Sequence, residues 1–391
     1  MWPDPGREDS TLKDKHAGSG TKVERAVLVA AKFAGDSLAG VQESLLELEK
    51  LAASAGAQVV DRLIHERKAP DPRFFIGPGK VMELRDSMRA RADLLIFDAD
   101  LSGSQQRNLE DTLGLKVLDR TELILDIFAQ RARTREGMAQ VELAQLEYSL
   151  SRLVGRGRSL SRLGGGIGTR GPGETKLESH RRRIRRRMVQ IRRRLEAVRR
   201  TRRIMRRSRL RLGLPVICLV GYTNAGKSTL FNALTRANAV VGDRLFATLD
   251  PMVRQMHLGN GQAALLFDTV GFIRKLPPQL IHAFRATLEE LLTADLLLHV
   301  VDASHPQREE QIRAVEQVLG EIGAAEKPIL LVYNKMDRLS QDAQPGRSEP
   351  GSRPIQVSAL TGEGIGKLRE QIASFLSSSS SMPGRKMILT G

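Results

Sequence analysis

Residues 216–228 read VICLVGYTNAGKS, and this stretch decides the fold. Its first five residues form a short apolar run that predicts a buried strand. The next eight, GYTNAGKS at 221–228, match G-x-x-x-x-G-K-S and precede a helical pattern, which is the context that a phosphate-binding loop requires. In such a loop Lys227 reaches the β- and γ-phosphates and Ser228 binds Mg²⁺. The alternative is a tight glycine turn that only joins a strand to a helix.

Three further motifs each follow a predicted strand, in the order and spacing of the Ras-like GTPase superfamily. They are DTVG at residues 268–271, NKMD at residues 334–337 and SAL at residues 358–360. The carboxylate of the first motif can support Mg²⁺, and its last N–H can meet a γ-phosphate. Asp337 can accept the N1–H and the exocyclic amine of guanine, a donor pair that adenine lacks, and the Ala359 N–H can face the guanine O6. These motifs predict a guanine-nucleotide site.

Two residues of this region have both a functional and an ordinary interpretation. Thr248 lies in FATLDP, residues 246–251, between the first helix and the next strand, where a second Mg²⁺ ligand is expected; otherwise it is a surface loop threonine. Asn224 is the fourth residue of the phosphate loop, where some similar GTPases hold K⁺; otherwise it is a turn asparagine. The predicted cofactor is Mg²⁺, with K⁺ as a further candidate.

The predicted site has three groups of residues. Those predicted to bind the nucleotide are Gly221, Tyr222, Thr223, Asn224, Ala225, Gly226, Lys227, Ser228, Phe246, Ala247, Thr248, Leu249, Asp250, Asp268, Thr269, Val270, Gly271, Asn334, Lys335, Met336, Asp337, Ser358, Ala359 and Leu360. Catalytic roles are assigned to Lys227, Thr248, Gly271 and Asn224. The Mg²⁺ ligands are Ser228 and Thr248, with Asp268 acting through a water molecule.

The charge of the chain is concentrated in one segment. The 391 residues, enough for two to three domains, include 62 lysines and arginines against 45 acids. Residues 181–211 contain 17 arginines and one acid, so this segment carries +16 and the other 360 residues together carry +1. Such a concentration indicates one contact surface for an acidic partner.

Cysteine content and hydropathy indicate a cytoplasmic protein. Cys218 is the single cysteine, so an intramolecular disulfide is excluded and a reducing compartment fits. No apolar run approaches 18 residues, which predicts that no segment spans a membrane. Residues 1–22 lack the apolar region of a signal peptide and any apolar period.

The chain divides into five predicted segments. They are a disordered leader (1–22), an N-terminal α/β domain (23–120), a helical hairpin (121–212), a GTPase domain (213–376) and a disordered tail (377–391). Apolar residues spaced by three and four over 139–153 and 184–198 predict the two antiparallel helices of the hairpin. The predicted fold class is α/β, with a Ras-like P-loop GTPase domain preceded by a small α/β domain and a long antiparallel helical hairpin.

The hairpin contains two basic parts, a glycine- and arginine-rich tip (155–173) and an arginine-rich helix (181–211). We predict that both contact RNA, because arginine suits phosphates and base planes. The predicted RNA-binding residues are Arg156, Arg158, Arg162, Arg170, Arg182, Arg186, Arg193 and Arg200. A solvated helix face, an acidic protein or a membrane surface are the alternatives.

Four stretches resemble the HflX-type ribosome-associated GTPases: RFFIGPGK (73–80), GGGIGTRGPGETKLE (164–178), FATLDP (246–251) and DTVGFI (268–273). The resemblance covers about residues 23–376. It implies binding to the large ribosomal subunit and, in some members, dissociation of stalled or idle ribosomes. Some relatives have a further C-terminal domain that residues 377–391 are too short to supply.

Together these features predict a monomeric, Mg²⁺-dependent GTPase that binds the large ribosomal subunit and its rRNA in its GTP form and is partly ribosome-associated. Intrinsic hydrolysis should be slow and stimulated by ribosomes, because Phe272 stands where Ras-type enzymes hold a water-orienting glutamine. Two alternatives stay open. One is a GTP-regulated switch that recruits an acidic protein or a membrane. The other is an ATP-using RNA remodeller, with a second phosphate site at Gly77–Lys80 in place of a helix cap or RNA contact.

Overall fold

The computed structural model of the chain describes residues 23–88, 91–153, 172–211, 213–235, 237, 245–246, 248–249, 251–259, 261–277, 279–280, 290–339 and 354–380. These residues form two mostly parallel sheets, separated along the chain by a pair of long helices. The predicted leader and residues 155–171 of the predicted tip lie outside the described part.

The first unit alternates strands with helices. Its elements are β1 (Arg25–Lys32), α1 (Leu38–Ala55), β2 (Gln58–Glu66), α2 (Pro78–Met88), β3 (Leu94–Phe97), α3 (Gly103–Leu113) and β4 (Lys116–Asp119). The strand order is β2-β1-β3-β4, and every pairing is parallel. The central strands β1 and β3 are almost wholly buried apolar residues, as a parallel sheet covered by helices on both faces requires.

Local capping fixes the ends of the first helices. The Ser37 hydroxyl accepts the N–H of Gly40 at the start of α1, and Gly56 ends that helix in the left-handed region at φ 93°. Ser102 and Gln105 form a reciprocal capping box at the start of α3. The sequence therefore places both boundaries through ordinary helix chemistry.

The GPGK turn at residues 77–80 opens α2. Lys80 pairs with Glu83 at 2.6 Å. The Arg67 guanidinium donates to the Ile76 carbonyl at 3.0 Å. It lies so close to the turn that a Cβ at Gly77 would collide with it. Both the lysine and the turn are therefore engaged within the unit. A helix cap or RNA contact at this turn, in preference to a second nucleotide site, stays a prediction.

Helix α4 (Arg120–Arg131) begins at once after β4 and packs against α1 and the first sheet. The Asp119 carboxylate caps it by accepting the N–H of Glu122 at 2.8 Å. Residues 121–131 were predicted as part of the hairpin, whereas their buried apolar residues join a core cluster that contains residues of both the first unit and the chain after the hairpin. The difference arises because a short apolar helix carries no local signal of which neighbour it covers.

The hairpin consists of α5 (Arg135–Arg152) and α6 (Pro172–Arg211). Arg181, early in α6, donates to the carbonyl of Leu153 at the end of α5, as expected for antiparallel helices. Their seam is an apolar cluster of Ala139, Leu143, Leu146, Leu150, Leu153, Ile184, Met188, Ile191 and Leu195. Ion pairs flank the seam, Arg187 with Glu142 and Arg192 with Glu147. The heptad stripes of the sequence thus form the predicted seam.

The end of α5 that adjoins the predicted tip is fastened to the first sheet. Tyr148 of α5 donates its hydroxyl proton to the buried Asp119 carboxylate at 2.8 Å. Arg152 pairs with the same carboxylate and donates to the Leu101 carbonyl at 2.9 Å. A buried carboxylate shared in this way joins the end of β4 to the last turn of α5.

The second sheet belongs to the unit after the hairpin. Its elements are β5 (Val216–Gly221), α7 (Lys227–Thr235), β6 (Met252–Gly259), β7 (Gln262–Asp268), β8 (Leu296–Asp302), α8 (Arg308–Glu321), β9 (Ile329–Asn334), β10 (Ile355–Gln356) and α9 (Ile365–Ser380). The strand order is β10-β9-β8-β5-β7-β6, and only β6 pairs antiparallel among the strands described. The carboxyl ends of the parallel strands meet at one edge, where α/β sheets bind ligands.

Helix α9 continues to Ser380, four residues into the predicted tail, and residues 381–391 lie outside the described part. Among the described helices, none combines the length and apolar character needed to cross a bilayer.

Candidate nucleotide site

The phosphate loop between β5 and α7 depends on two glycines. At Gly221, with φ 151°, a Cβ would stand 2.2 Å from the Val300 carbonyl oxygen. At Gly226, with φ 90°, a Cβ would stand 2.3 Å from the Asn334 amide nitrogen. Only glycine allows both the backbone conformation and the close approach. The loop is therefore built as the motif predicts.

Lys227 is a buried lysine inside this loop. Its ammonium donates to the carbonyls of Gly221 and Tyr222 at 3.1 and 2.8 Å. Burial is the main cause that lowers its pKa to about 8; Asp268 opposes the shift, and Lys335 adds to it. A desolvated lysine held by carbonyl oxygens is poised to gain a phosphate as its partner.

Three oxygen-bearing side chains converge beside the loop. The Ser228 hydroxyl lies 2.7 Å from that of Thr248 and donates to Asp268 Oδ2 at 2.6 Å, and Thr248 donates to the same oxygen at 3.2 Å. Asp268 Oδ1 is buried, and no hydrogen-bond partner for it is found in the part of the chain that the structure describes. Burial raises the Asp268 pKa, and the Ser228 hydrogen bond opposes the shift. Hydroxyl and carboxylate oxygens are the ligands that Mg²⁺ prefers, so these residues fit that ion.

The DTVG segment lies directly against the phosphate loop. Thr223 donates its N–H to the Phe272 carbonyl at 2.7 Å, and Phe272 donates its own to the Gly221 carbonyl at 3.1 Å. A Cβ at Gly271 would stand 2.7 Å from Thr223 Cα and 3.0 Å from Lys227 Nζ. The Gly271 backbone is thus close to where phosphates would meet Lys227. The Phe272 ring is buried and carries no group that could orient water.

The far end of the site is built by β9 and the loop after β10. The Asn334 amide nitrogen donates to the Ala225 carbonyl and its oxygen accepts the Ala359 N–H, both at 2.9 Å. Asp337 accepts the Ser358 hydroxyl at 2.5 Å, which fixes that carboxylate. The predicted contact of the Ala359 N–H with a guanine O6 requires that the N–H be shared with Asn334.

These parts enclose one cavity of about 300 Å³. Its lining residues are Thr223, Asn224, Gly226, Lys227, Ser228, Thr229, Phe246, Thr248, Thr269, Gly271, Asn334, Lys335, Asp337, Arg338, Ala359 and Leu360. Thr229 and Arg338 were missed by the sequence analysis, although each directly follows a predicted motif. Predicted residues that do not line it are Gly221, Tyr222, Ala225, Leu249, Asp268, Val270, Met336 and Ser358. Ala247 and Asp250 lie outside the described residues.

Tyr222 differs most from its predicted position. Its hydroxyl donates to Glu47 of α1 and accepts the N–H of Arg274 at 2.9 Å. The side chain thus joins the phosphate loop to the first unit, and only the backbone carbonyl, bonded to Lys227, serves the loop. No local pattern in the sequence indicates this contact.

The predicted RNA-binding residues fall into three groups. Arg182, Arg186 and Arg193 are exposed on α6, and no ion pair to them is found among the described residues. Arg200 lies 4.0 Å from Glu196, within the same helix. The four tip residues Arg156, Arg158, Arg162 and Arg170 lie outside the described residues.

Comparisons with known proteins cover nearly the whole chain. Three family models match, described as "GTP-binding GTPase N-terminal" (residues 42–129), "GTP-binding GTPase Middle Region" (131–209) and "50S ribosome-binding GTPase" (216–335). The GTPase HflX of Caldanaerobacter subterraneus subsp. tengcongensis is 52% identical over 350 residues, covering 89% of this chain and 80% of that protein. The chain belongs to the HflX family of GTPases.

Two further proteins are similar to this chain. The GTPase HflX of Escherichia coli is 49% identical over 358 residues, covering 90% of this chain and 83% of that protein. Among solved structures, a GTP-binding protein from Sulfolobus solfataricus in complex with GDP is 27% identical, with a TM-score of 0.45, covering 91% of this chain and all of that one. The family and the fold class predicted from sequence are confirmed, and as an HflX-family GTPase the chain is a GTP hydrolase.

Proposed function

We propose that this HflX-family GTPase is Mg²⁺-dependent, binds the large ribosomal subunit in its GTP form and dissociates stalled or idle ribosomes, with hydrolysis resetting the cycle. The observation that supports ribosome binding best is the exposed arginine face of α6, on a chain whose GTPase unit matches a family described as ribosome-binding. The protein would then be a cytoplasmic monomer, partly ribosome-associated.

The site geometry supports a division of labour among the predicted residues. Lys227 would exchange its carbonyl partners for the β- and γ-phosphates, and the Gly271 N–H would meet the γ-phosphate. Ser228 and Thr248 would hold Mg²⁺ directly, and Asp268 would hold it through water. When bound, Mg²⁺ neutralises charge that develops on the phosphates. The chain itself positions the nucleotide and shields it from bulk water.

Selectivity for guanine would reside in Asp337. Its carboxylate faces the nucleotide cavity and is oriented by the Ser358 hydroxyl. Guanine offers that carboxylate two N–H donors, whereas adenine would leave a carboxylate oxygen unpaired. The site therefore supports GTP over ATP.

Asn224 has a geometry that suits the K⁺ proposal. Its backbone is left-handed at φ 60°, its side chain is exposed at the cavity, and no hydrogen bond to it is found among the described residues. We expect turnover to be faster in K⁺ than in Na⁺, and Asn224→Ala to remove the difference. Identical turnover of the wild type in both salts would remove K⁺ from the proposal.

The two basic parts of the hairpin would have different roles, one in ribosome binding and the other in subunit separation. The arginine face of α6 would contact rRNA phosphates, while the tip (155–173) would reach a functional centre of the ribosome. Replacing Arg156, Arg158, Arg162 and Arg170 by alanine should weaken binding modestly and slow subunit separation more. Nucleotide affinity should not change.

Two measurements test the proposal. Full-length chain should co-sediment with large subunits in a non-hydrolysable GTP analogue but not in GDP, and light scattering should fall when it is added to intact ribosomes with the analogue. Co-sedimentation without loss of scattering would limit the function to binding. Binding to anionic vesicles instead of subunits would favour the membrane alternative, and ATP hydrolysis that survives Lys227→Ala would favour the remodeller.

A further inference from the structure

Two bulky residues in the loops around the Mg²⁺ corner have a left-handed backbone. Phe246, two residues before Thr248, has φ 57°, and Lys275, four residues after Gly271, has φ 53°. Large side chains rarely adopt this conformation, and it persists only where the surroundings hold it in place. In both cases a side chain of the first unit is in contact.

Phe246 is held by α4 of the first unit. Its ring lies against that of Phe128, with centroids 4.6 Å apart, and both side chains are at most 2% exposed. Leu245 and Leu249 are buried in the same apolar cluster. The Phe246 N–H donates to the Thr223 hydroxyl at 3.0 Å. The segment on either side of Thr248 is therefore anchored between the phosphate loop and α4.

Lys275 is held by the end of β3. Its ammonium lies 3.1 Å from the Asp98 carboxylate and donates to the Asp98 carbonyl at 3.2 Å. The preceding residue, Arg274, has both backbone polar groups engaged. Its N–H donates to the Tyr222 hydroxyl at 2.9 Å, and its carbonyl accepts from Arg120 at 3.3 Å. The segment after DTVG is thus fixed at three points.

The group behind these contacts is a buried charge cluster in the first unit. Arg120, whose side chain is 2% exposed, pairs with Asp98 at 2.6 Å and with Glu47, which in turn accepts the Tyr222 hydroxyl. Burial alone would raise the Asp98 pKa, but Arg120 and Lys275 hold it below its usual value. Removing one partner from a buried charge cluster is strongly destabilising. The cluster therefore holds its members, and the segments bonded to them, in fixed positions.

We infer that the first unit supplies positioning residues for the binding of GTP and Mg²⁺: Phe128 sets the place of Thr248, and the Arg120 cluster sets the segment after Gly271. These contacts hold both loops so that the three side chains assigned to Mg²⁺ already lie together. The entropy cost of ordering the loops when GTP and Mg²⁺ bind is therefore smaller. GDP lacks the γ-phosphate, so it gains less from this order. The inference rests on the proposed Mg²⁺ assignment.

The principal test is Phe128→Ala in the full-length chain. Titration with fluorescent nucleotides should show that affinity for a GTP analogue falls about three- to tenfold while GDP affinity changes less than about twofold. The Mg²⁺ concentration for half-maximal analogue binding should rise. Phe128→Leu should retain part of the effect of the ring. Leu109→Ala is the matched control, because Leu109 is equally buried but packs on the opposite face of the first sheet.

Lys275→Met provides a second variant outside the apolar core, since the Lys275 side chain is 55% exposed, and it removes one ion-pair partner of the buried Asp98 carboxylate. It should lower analogue affinity in the same selective way. Equal losses for GDP and analogue, no change in either variant, or selective loss in Leu109→Ala would overturn the inference. So would a gain in analogue affinity.

Ser228→Ala separates this inference from the proposed function. If Ser228→Ala leaves the Mg²⁺ dependence of analogue binding unchanged, the Mg²⁺ assignment fails and the inference falls with it. If Ser228→Ala raises the Mg²⁺ requirement while Phe128→Ala does not, the assignment stands and only the positioning role fails.

Discussion

At the scale of single residues, Lys227 couples nucleotide binding to pH. Its pKa is lowered to about 8 without nucleotide, chiefly by burial, and bound phosphates must raise it because they favour the charged form. Below pH 8 the lysine is charged both before and after binding, so affinity should be flat. Above pH 8 binding must take up a proton, and GTP affinity should fall by up to about tenfold per pH unit.

Calorimetry between pH 7 and 9.5, in two buffers of different ionisation enthalpy, measures this proton uptake directly. The uptake should approach one proton near pH 9. Lys227→Arg cannot deprotonate, so between pH 8 and 9, below the range in which the guanine N1–H itself ionises, its affinity should change much less than that of the wild type. A wild-type affinity that stays constant up to pH 9.5 would contradict the shifted pKa.

Asp337 gives the second prediction at this scale. In Asp337→Asn the amide loses one acceptor for the guanine N1–H and N2–H pair, so GTP affinity should fall about ten- to a hundredfold. Xanthosine triphosphate should regain affinity, because its C2 carbonyl can accept the new amide N–H. Ser358→Ala, which only frees the carboxylate from its hydroxyl partner, should have a smaller effect. Unchanged GTP affinity of Asp337→Asn in a calorimetric titration would falsify the assignment.

At the scale of secondary-structure elements, the arginines of α6 separate into two classes that the sequence alone does not distinguish. Arg182, Arg186 and Arg193 are exposed without an ion pair among the described residues, whereas Arg187 and Arg192 pair with glutamates of α5. Spacing predicts the apolar seam, but which arginines flank it depends on the partner helix. Charge counts therefore predict the basic surface and not its members.

This division gives a matched prediction on salt dependence. If six to ten arginines meet phosphates, ribosome affinity should fall by roughly 10³–10⁵ between 50 and 200 mM salt, with duplex DNA as an upper guide. Replacing Arg182, Arg186 and Arg193 by alanine should reduce the logarithmic salt slope by about 2–3. Replacing Arg187 and Arg192 should lower thermal stability and leave the slope nearly unchanged. Equal salt slopes for both variants would contradict the prediction that the exposed arginines contact rRNA phosphates.

The strands and helices themselves were predictable where the signal is local. The apolar run at residues 216–220 forms β5 as predicted, and the phosphate loop follows it where its motif places it. The partner of α4 was not predictable. Its apolar residues indicate burial, but packing against α1 on the first sheet depends on contacts more than 60 residues apart in the chain.

At the scale of the whole molecule, the least predictable feature is the contact between the first unit and the unit after the hairpin. Glu47, Arg120 and Phe128 look like ordinary helix residues in the sequence, yet they contact the phosphate loop and its neighbours. These contacts join residues 118 to 175 positions apart, as Phe128 with Phe246 and Glu47 with Tyr222 show. Motifs report chemistry that is local in sequence, so they predict the nucleotide site without the unit that supports it.

The final prediction concerns the ribosome as the missing part of the catalytic site. Phe272 directly follows DTVG, where Ras-type enzymes hold a water-orienting glutamine, and its ring is buried, so hydrolysis by the free protein should be slow. The loops around Thr248 and Phe272 contact the first unit, which is fastened to the hairpin through Asp119, Tyr148 and Arg152. A ribosomal subunit that binds the hairpin can therefore shift these loops.

Single-turnover hydrolysis should accelerate by at least about tenfold with large subunits. Tyr148→Phe with Arg152→Met, which loosens the fastening, should reduce the acceleration more than the basal rate, and equal rates with and without subunits would refute the coupling.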